Sequence, residues 1–264
     1  MREIIAHYGQ VREEERLASG WGALELARTQ EIMLRHLPAP PAKVLDVGGA
    51  AGVYSEWLGR RGYTAHLVDP VPRHLEEARR AGRHIASVAM GDARTLAWPN
   101  GAFDIVLLMG PLYHLTGREE RVAALREAGR VLRGGGLLFA SAISRFAPLL
   151  EALVTGILDD PGFAPILAQD LRDGQHRNAT GNPLFFTTAF LHRPEELRAE
   201  VLEAGFRLIE VAGIEGPGWI APDFASRWRD PARRESLLSA ARAVEHEEAL
   251  MGMSQHLCAV AAKG

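Results

Sequence analysis

The chain has 264 residues, of which 47% are apolar and 24% are charged, and its formal net charge at pH 7 is −3. These values are ordinary for a globular protein, and the length allows one large domain or a domain with a cap. The small negative charge and the absence of a dense Lys/Arg block argue against nucleic acid as a partner. No signal-peptide core or bilayer-length apolar run occurs in the sequence, so we expect a cytoplasmic protein without a membrane partner.

The first 42 residues predict a helical segment. Apolar and long side chains recur there at helical spacing, at Leu17, Trp21, Leu24, Arg28 and Ile32. The prolines at positions 38, 40 and 41 end the pattern, because proline cannot continue a helix.

Strands and helices then alternate over residues 43–143. The apolar runs predict strands at 44–47, 64–68, 85–90, 103–109 and 137–143, and the helical patterns between them fall at 54–61, 73–80 and 118–133. Such alternation is typical of a parallel, doubly wound α/β sheet with right-handed crossovers. The glycines at positions 134–136 are expected to stop the third of these helices.

The alternation stops at residue 144 and resumes at 193. We predict a cap over residues 144–192, inserted after strand five, and a completion of the sheet over residues 193–264. The second of these segments contains the predicted helices 193–204 and 231–250 and the predicted strands 206–214 and 256–262.

A glycine-rich turn follows the first predicted strand. Its sequence is Asp-x-Gly-x-x-x-Gly, formed by Asp46, Gly48 and Gly52, with Gly49 beside Gly48. A strand, a tight turn and a helix N-terminus allow a nucleotide-like ligand to approach the backbone closely. The dinucleotide fingerprint Gly-x-Gly-x-x-Gly does not fit in any register, which argues against an NAD-dependent enzyme.

This turn resembles the first motif of class I S-adenosylmethionine (SAM)-dependent methyltransferases, with alanine in place of the middle glycine. The resemblance implies that Asp46, Gly48, Gly49 and Gly52 bind the amino-acid part of SAM. It also implies a seven-stranded, mostly parallel sheet with an antiparallel last strand, which agrees with two strands after the fifth helix. The expected product is S-adenosylhomocysteine.

Two acidic positions follow the second and third predicted strands. Asp69 corresponds to the residue of that family that binds both ribose hydroxyls, although an aspartate before Pro70 also suits a helix N-cap. Asp92 and Ala93 correspond to the motif that contacts adenine, and the simpler alternative is a turn-forming aspartate.

The sequence Gly-Pro-Leu-Tyr-His-Leu follows the fourth predicted strand. It resembles an element found in a bacterial, small-molecule subgroup of these methyltransferases. Strand ends at the switch point of such a sheet face the ligand, so Met109 and Gly110 are expected to line the SAM site. His114 is a candidate for the group beside the reacting sulfonium, or it holds the loop instead.

Three further residues are candidates on weaker grounds. Tyr8 and Arg28, in the N-terminal segment, are both predicted to reach the carboxylate of the ligand, Tyr8 as a catalytic residue and Arg28 as a cofactor-binding residue. Arg145 directly follows strand five and is predicted to lie at the mouth of the crevice as a catalytic residue. The polar and aromatic residues of the cap indicate a small polar or carboxylate-bearing acceptor, unless the cap packs only on itself.

We interpret the sequence as a SAM-dependent methyltransferase that acts on a small molecule as a monomer or homodimer. Its histidines lack His-x-x-x-His spacing and a cysteine partner, so no metal site is expected. Two other functions fit the same motifs. One is a SAM-using enzyme that closes the aminobutyrate arm and releases methylthioadenosine, and the other is a SAM-binding module without catalysis.

Overall fold

A computed structural model describes residues 13–264 and, except at residues 13–15 and 183, their side chains. Tyr8, a predicted catalytic residue, lies outside the described residues. No helix in this part of the chain is long and apolar enough to cross a membrane.

The strands recur along the whole described chain. They are β1 (Lys43–Val47), β2 (Thr64–Asp69), β3 (Ile85–Met90), β4 (Phe103–Leu108), β5 (Leu132–Ile143), β6 (Gln175–His176), β7 (Ala189–Phe190), β8 (Phe206–Gly213) and β9 (His256–Lys263). Each predicted strand of the sheet is confirmed, with ends that mostly agree to within one residue.

The helices lie mainly between these strands. They are α1 (Glu13–Ala18), α2 (Gly20–His36), α3 (Val53–Gly59), α4 (Pro72–Ala81), α5 (Pro111–His114), α6 (Arg118–Val131), α7 (Ala147–Thr155), α8 (Ala164–Asp173), α9 (Pro194–Glu203), α10 (Phe224–Arg229), α11 (Pro231–Val244) and α12 (Glu248–Met251). Single 3-10 turns occur at Ile157–Asp159, Pro183–Phe185 and Gly216–Ile220.

Seven strands form one sheet in the order β3-β2-β1-β4-β5-β9-β8. Strands β1 to β5 pair in parallel, whereas β9 runs antiparallel to both β5 and β8. This confirms the predicted doubly wound sheet with an antiparallel last strand. The strand order reverses between β1 and β4, and ligands bind at such a switch point, beyond the carboxyl ends of the strands.

Two predicted element ends are wrong. Helix α6 stops at Val131, and β5 begins one residue later, so the glycines at 134–136 lie in the strand and do not end the helix. The predicted helix 231–250 is broken after Val244. The side chain of the next residue, Glu245, turns inward to two arginines, and its carbonyl accepts the N–H of Gly213 at 2.8 Å.

Both faces of the sheet are buried. Leu45 and Val106 face one apolar core, which α6 and α9 complete, while Val44 and Ile105 face another, which α2 and α3 complete. All four side chains are fully buried. Strands covered on two faces read as continuous apolar runs, which is why the sequence identified them.

The cap spans residues 147–190 and has a small apolar core of its own. That core contains Ala152, Phe163, Ile166, Leu167 and Phe185. The backbone N–H of Arg145, just before the cap, donates to the carbonyl of His192, just after it, at 2.8 Å, and this bond joins the two connections to the cap beside β5. The cap therefore stands on a fixed base next to the carboxyl end of the sheet.

Candidate active site

The turn after β1 requires glycine at each position named by its motif. Gly48 has a φ of +69° and Gly52 a φ of +83°, in the left-handed region that favours glycine. A Cβ atom on Gly49 would lie 2.7 Å from Cγ of Asp46, and one on Gly52 would lie 2.6 Å from Cδ1 of Ile85. The backbone thus passes very close to its neighbours.

Asp46 is the second-to-last residue of β1, and its carboxylate is fully buried. Its Oδ2 atom accepts a hydrogen bond from Ser55 at 2.8 Å, while its Oδ1 atom has no partner among the described residues. Burial raises the pKa of Asp46 to about 6; the bond from Ser55 opposes this rise and the charge of Asp69 adds to it. A cationic group of a ligand would satisfy both the open oxygen and the charge.

Asp69 ends the neighbouring strand β2 and is also buried. Oδ2 accepts the N–H of Ala50 at 3.0 Å, and Oδ1 accepts the N–H of Val71 at 2.8 Å. The His74 ring lies 3.1 Å from Oδ1. The carboxylate therefore shapes the turns on both sides of it. It does not cap α4 through a side-chain bond, because the N-cap position of that helix is Val71.

A single cavity unites most of the residues predicted to bind the cofactor, and we call it the cofactor cavity. Asp46, Gly48, Gly49, Asp69, Asp92, Ala93, Met109 and Gly110 line it. Asp92 is held by Arg94, whose Nη2 lies 2.6 Å from Oδ2. Hydrogen bonds from Arg94 lower the pKa of Asp92, against the effect of desolvation.

Gly52 is an exception among the motif glycines. It lies outside the cofactor cavity, and a Cβ atom added to it would meet Ile85 of β3 and Ala78 of α4. Gly52 therefore lets the turn pack closely against those elements. The geometry does not support direct contact between Gly52 and a ligand.

The prediction for Arg28 needs correction. Its side chain is fully buried and lines neither the cofactor cavity nor the cap. Its Nε donates to the carbonyl of Ile214 at 3.2 Å, and its Nη atoms pair with Glu31 and Glu245. These bonds fix α2 on the closing part of the sheet, so the guanidinium does not reach a ligand carboxylate.

The prediction for Arg145 needs the same correction. Its guanidinium is buried and donates to both oxygens of Glu196 at 2.8 Å and to the carbonyl of Leu191 at 3.2 Å. The side chain therefore turns under the base of the cap and away from the mouth of the crevice. A catalytic role for Arg145 is not supported.

Other N-terminal residues line the cofactor cavity where Arg28 was expected. They are Arg16, Leu17 and Glu25, and Tyr54 joins them from α3. Arg16 donates to the two oxygens of Glu25 at 2.5 and 3.2 Å. The sequence offered little sign of this pair, because Arg16 belongs to a charged run that reads as a solvated helix face.

His114 lies in α5, directly beyond β4, and lines the cofactor cavity. Its ring is 4.6 Å from that of Tyr113 and 6.2 Å from that of Phe186 in the cap. Both roles considered for His114, proton transfer and loop support, stay predictions.

A second cavity of about 440 Å³ lies between the cap, α2 and the start of β9, and we call it the acceptor cavity. Aromatic side chains form much of its wall, namely Trp21, Tyr113, Phe163, Phe185 and Phe186. Polar side chains line another part, namely Arg16, Glu151, Gln255 and His256. Arg16 and Tyr113 belong to both cavities, so the two spaces adjoin.

Three potential metal ligands lie within 4.8 Å of one another among the described residues: Glu25, Glu215 and His256. The distance from Nδ1 of His256 to Oε1 of Glu215 is 2.7 Å, which is the length of a hydrogen bond. A proton thus accounts for this contact without a metal ion.

Comparison with known proteins identifies the family. A model described as a methyltransferase domain matches residues 45–140. The ubiquinone biosynthesis O-methyltransferase of Methylocella silvestris is 32% identical over 193 residues, which cover 64% of this chain and 74% of that protein. A protein of the same name from Azorhizobium caulinodans is 27% identical, with 72% of each chain covered.

A solved structure has the same fold. The SAM-dependent methyltransferase from Mesorhizobium loti superposes with a TM-score of 0.60 at 17% identity, covering 90% of this chain and 99% of the other. The open oxygen of buried Asp46 suits an ammonium group, and a cavity at the switch point of the sheet suits a nucleoside, so the residues present fit SAM. The chain therefore belongs to the class I SAM-dependent methyltransferases, and SAM is its methyl donor.

Proposed function

We propose that this enzyme transfers the methyl group of SAM to a hydroxyl oxygen of a small aromatic molecule bound in the acceptor cavity. The observation that carries the proposal is the meeting of the two cavities at Arg16 and Tyr113. An acceptor beneath the cap would lie next to the donor, on the side where Met109 and Gly110 end β4. The name of the relatives, O-methyltransferase, supports oxygen as the atom methylated.

Within this proposal, the cofactor cavity holds SAM through a few polar groups. Asp46, one residue before the end of β1, faces the ammonium group, and Asp69, the last residue of β2, faces the ribose hydroxyls. Asp92 and Ala93 lie at the adenine end, and Gly110 leaves the backbone open to the ligand. When bound, SAM supplies an electrophilic methyl group on a positively charged sulfur, which is already a good leaving group.

The contribution of the protein is then mainly proximity and exclusion of water. Aromatic side chains in the wall of the acceptor cavity, among them Phe163 and Phe186 of the cap, would orient a flat acceptor ring between them. In the Gly-Pro-Leu-Tyr-His-Leu element, Tyr113 lines both cavities and His114 lines the cofactor cavity. Their rings lie 4.6 Å apart, and together they would set the depth of the acceptor. On this ground we also propose that the chain belongs to the small-molecule subgroup that carries the element.

The experiment uses pairs of acceptors with the same shape. Catechol and 1,2-diaminobenzene differ only in the nucleophilic atom, and formation of S-adenosylhomocysteine and of the methylated ring is measured by mass spectrometry. We expect methylated catechol and little methylated diamine. Methylthioadenosine as the product would instead favour the cyclising enzyme, and SAM binding without turnover of any acceptor would favour the binding module.

A tryptophan pair tests where the acceptor binds. Trp21 lines the acceptor cavity, whereas Trp57 lines neither cavity. The Cζ atom of Arg61 lies over the Trp57 ring, 4.4 Å from the ring centre. Trp21→Ala should raise KM for the acceptor and leave the Kd for SAM unchanged, and Trp57→Ala should change neither constant. Equal effects of both substitutions would argue against this acceptor site.

A further inference from the structure

His256 begins β9 and is held in one orientation by Glu215. The Nδ1 atom faces Oε1 of Glu215 at 2.7 Å, and the backbone N–H of His256 donates to Oε2 at 2.9 Å. Ser254 fixes the carboxylate in turn, because its hydroxyl donates to the same Oε2 at 2.8 Å. A buried carboxylate with this many bonds leaves the imidazole ring little freedom to rotate.

The charges around His256 favour its protonated form. Burial opposes the charge, but the carboxylates of Glu25 and Glu215 outweigh it and raise the pKa of His256 to about 9. Oε2 of Glu25 lies 3.8 Å from Nδ1. The cation of Arg16 acts the other way, but it is itself paired with Glu25. At neutral pH the ring is therefore an imidazolium with both nitrogens protonated.

The Nε2–H of His256 is left for a ligand. The side chain is 13% exposed and lines the acceptor cavity. Among residues 13–264, His256 forms hydrogen bonds through Nδ1 and its backbone, and none through Nε2. Glu151, from α7, lines the same cavity and forms no ion pair with the described residues. Desolvation raises the pKa of Glu151, and the cations of His256 and Arg16 limit the rise.

We propose that His256 and Glu151 together recognise and ionise the hydroxyl group of the acceptor. The inference rests on the proposed function and names the chemical class of its substrate, a phenol or catechol whose oxygen can carry negative charge. The Nε2–H of His256 donates to that oxygen, and Glu215 and Glu25 are positioning residues that keep the imidazolium in place.

The proton and electrons of the step balance. The O–H bond of the acceptor breaks and its proton passes to the Glu151 carboxylate, while the oxygen forms its bond to the methyl group. The electrons of the broken S–CH₃ bond stay on sulfur, and Glu151 later returns the proton to water. An opposite charge beside an ionising group favours its charged form, so His256 makes the oxygen a better nucleophile.

The test uses 4-nitrophenol, whose ionised form absorbs at longer wavelength, with the enzyme saturated with S-adenosylhomocysteine so that no turnover occurs. The pKa of the bound probe is read from absorbance against pH, for the wild type, His256→Gln and His84→Gln. Glutamine at 256 can still donate to Glu215, and the side chain of His84 is 49% exposed and lines neither cavity. Thermal unfolding confirms that each variant is folded.

In the wild type and in His84→Gln, we expect the bound probe to ionise about one pH unit or more below its value in His256→Gln. Equal probe pKa values in all three proteins, or no binding of the probe to the wild type, would overturn the inference. If the shift occurs but no hydroxyl acceptor is methylated, the proposed function fails and the ionising site stands. If phenols are methylated but the shift in the probe pKa is absent, the proposed function stands and the inference about His256 fails.

Glu151 is tested by a second pair of variants that leaves the Glu215 network intact. Glu151→Gln should lower kcat for weakly acidic phenols at least tenfold, and strongly acidic phenols, which are already ionised, should recover most of the rate. Glu119→Gln, at an exposed position of α6, is the matched control and should behave as wild type. A loss in Glu151→Gln that is the same for all phenols would contradict a role in proton transfer.

Discussion

The carboxylate of Asp69 accepts the backbone N–H of Ala50 at 3.0 Å, and this bond joins the end of β2 to the glycine-rich turn after β1. Ala50 has a φ of +47°, so the turn adopts a conformation that alanine rarely takes. The Asp69 side chain thus fixes the shape of the turn and also lines the cofactor cavity beside it. Both contributions are needed to form that cavity.

Replacing Asp69 with alanine should weaken SAM binding by roughly 1–3 kcal/mol, because a charged hydrogen-bond acceptor is lost from a buried site. Calorimetry with SAM measures this change, and Glu76→Gln, an exposed position on α4, is the control. Unchanged affinity in the Asp69 variant would remove this residue from the binding site.

SAM affinity should depend on the ionisation of Asp46. Burial raises its pKa to about 6, so the carboxyl is ionised at pH 7 and is increasingly protonated below pH 6. If the ammonium group needs the ionised form, the Kd should rise about tenfold for each pH unit below 6 and be flat above it. Calorimetry from pH 5 to 7 tests this dependence. Asp46→Asn should bind weakly with a flat profile, and the same slope in that variant would exclude Asp46 as its cause.

Arg28 should matter for stability and not for ligand binding. Its removal leaves Glu245 with one arginine fewer in a buried site, so Arg28→Ala should lower the free energy of unfolding by about 3–5 kcal/mol. Denaturant titration measures this loss, with the exposed Arg233→Ala as control. Weaker SAM binding at unchanged stability would restore the role first predicted for this residue.

Two glycine substitutions test whether the free energy of unfolding is more sensitive at the turn after β1 than in β5. Gly52→Ala places a methyl group 2.6 Å from Ile85 at a positive φ and should lower the free energy of unfolding by about 1–3 kcal/mol. Gly134→Ala, in β5, meets no atom within 4 Å and should stay within about 0.5 kcal/mol of wild type. Equal losses in a denaturant titration would contradict the steric role of Gly52.

The sequence predicted the sheet well because its central strands are continuous apolar runs. The predicted strand 85–90 has the same ends as β3, and the two closing strands lie where they were expected. Motif residues at strand ends were also predictable, because parallel strands bring their carboxyl ends to one edge. Thus Asp46 and Asp69 meet at one cavity although 22 residues separate them.

The partners of Arg28, Arg145 and His256 could not be predicted from the sequence. Arg28 pairs with Glu245, 217 positions later, and Arg145 with Glu196, 51 positions later. An arginine pattern does not reveal whether the guanidinium faces a ligand or a buried carboxylate. His256 belongs to a predicted strand, and only the packing of α2 and the Gly216–Ile220 turn against it places Glu25 and Glu215 beside the ring.

The most direct test of the proposed activity is to follow the methyl group itself. The enzyme is incubated with catechol and SAM that carries a deuterated methyl group, and both products are quantified by mass spectrometry. We predict trideuteromethyl catechol ether and S-adenosylhomocysteine in equal amounts. Methylthioadenosine, or S-adenosylhomocysteine without label on the catechol oxygen, would contradict O-methyl transfer.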